Sequence, residues 1–179
     1  AICQAVPGGD ISAEVVATDY EGMLREALEI SGWNPQIVVK VPLIPPGVRL
    51  VRTLAEKGIR TNVTLVFSVS QALLAAKAGA TYISNFVGRV DDASADGMEA
   101  VAESVEMVAT YGYDAEILVA SVRHPLHVVQ AVQAGAGAVA VPEHHAARRC
   151  RLGGRRRGRP RRALAQGMLT DKYLNGVPS

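Results

Sequence analysis

Lys40 sits in the run VVKVP, between Val39 and Val41. Such neighbours belong to a buried β-strand, where a lysine is costly to dehydrate unless it is paired or lies at an edge. An apolar cavity disfavours the ammonium form of a lysine. The free amine can attack a ketone to form a Schiff base, and the protonated imine is an electron sink for breaking or making the adjacent C–C bond. Other lone polar residues stand in similar apolar runs: Glu14 in SAEVVAT, Thr64 in NVTLVF, Ser84 in YISNF and Ser121 at the end of ILVAS. Glu14 could move protons, directly or through a water held by Thr64. Arg89 and Arg123 follow two of these runs, and with the Ser121 hydroxyl they suit a sugar phosphate.

A regular alternation of elements must position these groups. Strands are predicted at 11–17, 36–42, 60–67, 81–87, 115–121 and 137–142, and helices at 19–32, 47–58, 70–79, 98–112 and 125–135. The segment GRVDDASADG is read as a long connection. Each predicted helix stops at a glycine, and each strand starts a few residues later, so parallel strands joined by helices follow. The strands read as apolar on both faces, as in buried parallel sheets, which argues against an edge position for Lys40. Catalytic groups in such folds gather at the carboxyl ends of strands. The architecture is an open doubly wound sheet or most of a barrel. No G-x-G-x-x-G follows a strand and no G-x-x-x-x-G-K-[ST] occurs, so the usual nucleotide-binding signatures are missing.

With 179 residues, 49% of them hydrophobic, the chain can bury one sizeable core, but it is short for a full (β/α)₈ barrel of ~250 residues. It opens at Ala1 inside what reads as a structural element, so a fragment is expected. Cys3 and Cys150 are far apart and suggest neither a disulfide framework nor zinc spacing. No apolar run reaches the ~18 residues of a membrane span, no signal peptide is legible, and a cytoplasmic location is expected. Residues 1–147 hold 9 Lys+Arg against 16 Asp+Glu, whereas residues 148–179 hold 10 Lys+Arg against one Asp. An acidic domain (1–147) and a basic tail (148–179) are therefore distinguished.

The stretches VVKVP, GIRTNVTLVFSVSQALLAAKAGATYISNFVGRVDD, DGME and ILVASVRHPLHVVQAVQAGAGAVAVP, with SAEVVATDYEGM before them, closely resemble the small bacterial transaldolases, the group that includes fructose-6-phosphate aldolase. The resemblance runs from about residue 1 to Pro142. It implies a (β/α)₈ TIM barrel working as a class I Schiff-base enzyme, with Lys40 as the Schiff-base lysine, Glu14 and Thr64 as its catalytic partners, and Arg89 and Ser121 on the phosphate. Asn62 and Ser84 fall in the matched stretches as pocket residues, and Phe86 as a residue of the mouth where some relatives have a tyrosine. Members with glutamate at the position of Glu14 look like transaldolases, while fructose-6-phosphate aldolases carry glutamine. The family also implies a homo-oligomer, with no cofactor and no metal. Its barrel begins with two strands not found in this sequence, so the six strands here correspond to the third to eighth of a truncated barrel.

Some residues invite sharper readings than they merit. His124 and His127 could share a helix face, but no third metal ligand is evident, and a solvated helix end is expected. His144 and His145 have the same weakness. Asp91 and Asp92 read as part of a loop and helix cap. Arg148 to Arg162 contains nine arginines in fifteen residues and no aromatic. Its abrupt start and its Arg, Gly, Pro and Ala composition point to a frameshifted or disordered segment rather than a nucleic-acid interface. LAQGMLTDKYLNGVPS resembles a short piece of the aldo-keto reductases, without that family's cofactor or catalytic segments. The expected activity is transfer of a dihydroxyacetone unit between sugar phosphates. The alternatives are a fructose-6-phosphate aldolase, an inactive remnant and a basic-tailed binding protein.

Overall fold

The computed structural model describes residues 2–5 and 7–140. The basic tail, Cys150, His144 and His145 lie outside the described residues. After a short helix α1 (Ile2–Ala5), the chain runs β1 (Ile11–Glu14), α2 (Tyr20–Ser31), β2 (Ile37–Pro42), α3 (Pro45–Glu56), β3 (Thr61–Val66) and α4 (Val69–Ala78). It continues with β4 (Tyr82–Phe86), α5 (Val87–Asp92), α6 (Gly97–Tyr111), β5 (Glu116–Ala120), α7 (Pro125–Ala134) and β6 (Ala138–Val139). The strands form one parallel sheet in the order β1 to β6. This is the expected α/β architecture, an open half-barrel. No helix among the described residues is long and apolar enough to cross a membrane.

Local chemistry sets the helix ends. Asp19 accepts from the Gly22 N–H, and Asp96 from those of Met98 and Glu99, which caps α2 and α6. Proline opens α3 and α7, where its missing N–H costs nothing. At the end of α4, Gly79 takes φ 94, and an added Cβ would lie 2.7 Å from the Ala55 Cβ, so only glycine fits the turn.

Two expectations need correction. The GRVDDASADG connection contains α5, which leaves β4 without a break, so the alternation of strand and helix is interrupted by a helix pair. The strands are also not apolar on both faces. The outward residues Ala13, Val39, Val41, Val63, Ile83, Ile117 and Val119 pack with Met23, Leu50, Leu54, Ala75 and Val101 of the helices in one core. The inward positions instead set Asp10, Ser12, Glu14, Lys40, Asn62, Thr64, Tyr82 and Ser84 among the apolar Val38, Leu118 and Ala120.

Those inward side chains show how strongly the sheet curls. In a flat sheet, β1 and β4 would stand about 14 Å apart, three strand spacings. Yet the Tyr82 hydroxyl donates to Asp10 Oδ2 at 2.7 Å, and the Asn62 amide of β3 donates to Ser12 Oγ of β1 at 2.9 Å. Only a sheet rolled toward its polar face brings these groups together. Arg60 Nη1 completes the lower cluster at 2.6 Å from Asp10 Oδ2.

Burial, and then the hydrogen bond and charge of Asp10, push the Tyr82 phenol well above its usual range, while Arg60 opposes the shift. A proton held more tightly in the folded state stabilises the fold below the unfolded phenol value of about 10, and this contribution is lost as pH rises past it. Alkaline absorbance titration should therefore leave one of the five tyrosines un-ionised until the chain unfolds. All five ionising in the ordinary phenol range, with native circular dichroism retained, would contradict the buried Tyr82–Asp10 contact.

Candidate active site

Lys40 lies on β2, an interior strand flanked by β1 and β3, so the edge alternative falls away. The parallel register sets Glu14 of β1 directly opposite it. Lys40 Nζ donates to Glu14 Oε2 at 2.7 Å; the lysine side chain is 13% exposed and the carboxylate 44%. The amine is thus nearly enclosed while its partner remains open to solvent, an arrangement in which a carboxylate can take and return protons. The Val15 N–H donates to the Lys40 carbonyl at 3.1 Å. Glu26 Oε2 accepts from the Val16 and Ala17 N–H groups at 2.7 and 3.1 Å, pinning the chain just beyond Glu14.

Asn62 stands across from Lys40 in the β2–β3 register. It is fully buried, donates to Ser12 Oγ, and its Oδ1 accepts from Ser84 Oγ at 2.8 Å. A polar chain Ser84–Asn62–Ser12 therefore crosses the inner face below the lysine. Thr64, two residues on from Asn62, is buried, and its Oγ1 has no hydrogen-bond partner among the described residues. Directly after it, β3 carries a bulge. The pairing jumps from Val63↔Ile83 to Val66↔Asn85, and Leu65 takes φ 61. The extra residue lets Val63 and Val66 both face the outer core, and bulges of this kind re-aim side chains beside active sites. Phe86 lies at the end of β4, with its ring edge-on to Phe67 at 5.8 Å between centroids.

The phosphate candidates lie at the ends of β4 and β5. Arg89 is exposed in the last turn of α5. Ser121 follows β5 with φ 58, and its carbonyl accepts from the Gly88 N–H at 3.1 Å. Arg123 is paired here: its Nη2 donates to Asp92 Oδ2 at 2.5 Å, with both side chains about half exposed. Asp91 and Asp92 end a helix rather than sit in a loop, though Asp91 Oδ1 does accept from the Gly97 N–H at the start of α6. His127 is not at a solvated helix end. It is buried, with Nε2 3.1 Å from Asp91 Oδ2. Among the described residues no cluster of three or more His, Cys, Asp or Glu could hold a metal ion.

The structure thus brings Glu14, Lys40, Asn62, Thr64 and Ser84 to one inner face, with Phe86 at its upper edge, and sets Arg89, Ser121 and Arg123 on neighbouring strand ends. Ser12 and the Tyr82–Asp10–Arg60 cluster were missed in the sequence. Stepping back in twos from Glu14 along β1 reaches Ser12 and then Asp10, so the period of a strand carried the signal.

Fold and site together define a parallel α/β half-barrel with a lysine–carboxylate pair on its lumen face. The family model described as transaldolase/fructose-6-phosphate aldolase matches residues 1–154. The chain belongs to this family. A probable transaldolase of Parabacteroides distasonis is 56% identical over 141 residues, covering 79% of this chain and 64% of its own length. Probable transaldolases of Anaeromyxobacter sp. (strain K) and Petrotoga mobilis are 57% and 55% identical over 141 residues, each covering 79% of this chain and 64% and 63% of their own lengths. The chain therefore spans less than two thirds of these relatives. A chain in the crystal structure of the Amycolatopsis orientalis BexX/CysO complex superposes with TM-score 0.54 at 18% identity, covering 73% of this chain and 56% of that one. That likeness concerns the fold alone.

Replacing Asn62 by alanine removes the partner of both Ser12 and Ser84 in a buried setting. Each stranded polar group costs on the order of 1–3 kcal/mol, so urea unfolding of Asn62→Ala should show a loss of about 2 kcal/mol or more. Unchanged stability would mean that the serines are satisfied otherwise.

Proposed function

We propose that the chain carries the transaldolase reaction: transfer of a dihydroxyacetone unit from a ketose phosphate, such as sedoheptulose 7-phosphate, to an aldose phosphate, glyceraldehyde 3-phosphate. The products are erythrose 4-phosphate and fructose 6-phosphate. The observation that carries this reading is the 2.7 Å contact between Lys40 Nζ and Glu14 Oε2 on the lumen face.

In this mechanism Glu14 receives a proton from the lysine, and the free amine adds to the ketone carbon of the donor. The carbinolamine loses water, with a proton delivered to the departing hydroxyl, and leaves a protonated imine on Lys40. The imine draws the electrons of the C3–C4 bond as a base removes the C4 hydroxyl proton. An aldose phosphate departs and the three-carbon enamine stays on the lysine. The enamine then attacks the acceptor aldehyde, the new alkoxide takes a proton, and water hydrolyses the imine to return Lys40. Glu14 serves as the proton carrier, and the Thr64 hydroxyl, unpaired among the described residues, is suited to hold the water that relays to it. Asn62 and Ser84 fix the polar wall beside the lysine. Arg89 and Ser121, with Arg123, receive the phosphate. The pentose phosphate pathway, a cytoplasmic location and a homo-oligomer belong to the same reading, as does the division into a barrel domain at 1–147 and a separate tail.

Glu14 favours transfer over the second reading, a fructose-6-phosphate aldolase, because the family's aldolases carry glutamine there. The test is a transfer assay with fructose 6-phosphate as donor and erythrose 4-phosphate as acceptor. Glu14→Gln should lower the transfer rate by about 10²-fold or more, the usual weight of a positioned acid–base group, and Lys40→Met should abolish it. Equal transfer rates in wild type and Glu14→Gln would remove the carboxylate from the mechanism.

A further inference from the structure

Two neighbouring carboxylates at the end of α5 hold the loop between β5 and α7. Asp92 takes the Arg123 guanidinium, and Asp91 takes His127 Nε2. A third link joins the Gly88 N–H to the Ser121 carbonyl. The fit is close: a Cβ on Gly88 would fall 2.2 Å from that carbonyl oxygen. The short helix bearing Arg89 and the loop bearing Ser121 and Arg123 are thus fastened together at three points.

His127 is the buried member of this fastening. Its Nδ1 accepts the backbone N–H of Arg123 at 3.3 Å, while Nε2 faces Asp91 Oδ2 at 3.1 Å. Both contacts are satisfied only by neutral imidazole with its hydrogen on Nε2. An imidazolium would point an N–H at the Arg123 N–H and lose the loop contact. Asp91 in turn accepts from the Gly97 N–H at 3.0 Å, so one carboxylate joins α5, α6 and α7.

We propose that His127, in its neutral form, is a positioning residue of the phosphate site: it locks the Ser121–Arg123 loop onto the helix that carries Arg89. This rests on the reading that the ends of β4 and β5 receive the substrate phosphate. The groups facing the imidazole are Asp91 from α5, His124 from the turn before α7, with ring centroids 3.8 Å apart, and Asp96 from the turn before α6. The Arg123 guanidinium is turned to Asp92. Burial, and then the His124 charge, lower the His127 pKa from the usual histidine value, against the pull of Asp91. The lock is therefore in place at neutral pH and opens as pH falls through that lowered value.

The test measures binding of inorganic sulfate to the full chain by NMR titration, because sulfate keeps its charge across the range used. Wild type should bind sulfate, and His127→Leu should weaken it about fivefold or more, roughly the loss expected for one positioning hydrogen bond. His127→Gln, whose amide offers one donor and one acceptor, should stay within about twofold. From about pH 8 to about pH 5, wild-type affinity should fall while that of His127→Gln stays flat. Borohydride trapping of dihydroxyacetone, which has no phosphate, should proceed equally in wild type and both variants. Three results would overturn the proposal: no sulfate binding by wild type, unchanged affinity in His127→Leu, or tighter binding on acidification, the sign of simple charge attraction. If trapping fails in every protein while the sulfate pattern holds, the Schiff-base reading falls and the role of His127 stands.

Discussion

A lysine inside a parallel sheet needs a partner, and the β1–β2 register supplies one by setting Glu14 opposite Lys40. Much of the inner face follows from that constraint. The amine is nearly enclosed but the carboxylate is 44% exposed, so the pair is solvated on one side. Such a pair contributes little to stability after screening and desolvation are counted. Its value is positional. It places an amine and a proton acceptor 2.7 Å apart at the upper end of a lumen whose walls are otherwise fixed by Asn62, Ser12 and Ser84.

The curl of the sheet makes that lumen. Outward valines and isoleucines pack against the helices, while inward polar residues from strands that are not neighbours meet one another. Tyr82 reaching Asp10 and Asn62 reaching Ser12 are contacts a flat sheet cannot make. The same polar face explains why β2 tolerates a lysine between buried valines: Val39 and Val41 face the helices, and Lys40 faces the lumen. Of the three non-glycine residues with positive φ among those described, two stand near strand ends, Leu65 after Thr64 and Ser121 after β5. Non-glycine residues with positive φ persist only where the surroundings hold them, and here both adjoin residues assigned to the site.

The alternation of strands and helices, the helix boundaries and the choice of Lys40 and Glu14 on consecutive strands were legible because each rests on local signals: apolar strand runs, the glycine after each helix, and an ionisable residue in an apolar run. The inward polar face was less legible. Small polar residues such as Ser12 and Asn62 pass as strand residues when each run is judged alone, and only curvature shows that they touch. The helix α5 was hidden because VGRVDD is short and follows β4 without a turn signal. His127 was misread because its partner Asp91 is distant in sequence and is brought near by α5. The pairing of Arg123 with Asp92 was hidden for the same reason, since nothing local reveals it.

The most direct test of the central claim is borohydride trapping on Lys40. The full chain is incubated with fructose 6-phosphate, reduced, digested and examined by mass spectrometry. The account predicts a reduced dihydroxyacetone or ketose adduct on the peptide containing Lys40, absent in Lys40→Ala. A folded protein that forms no adduct, or forms one on another lysine with Lys40 left unmodified, would contradict it.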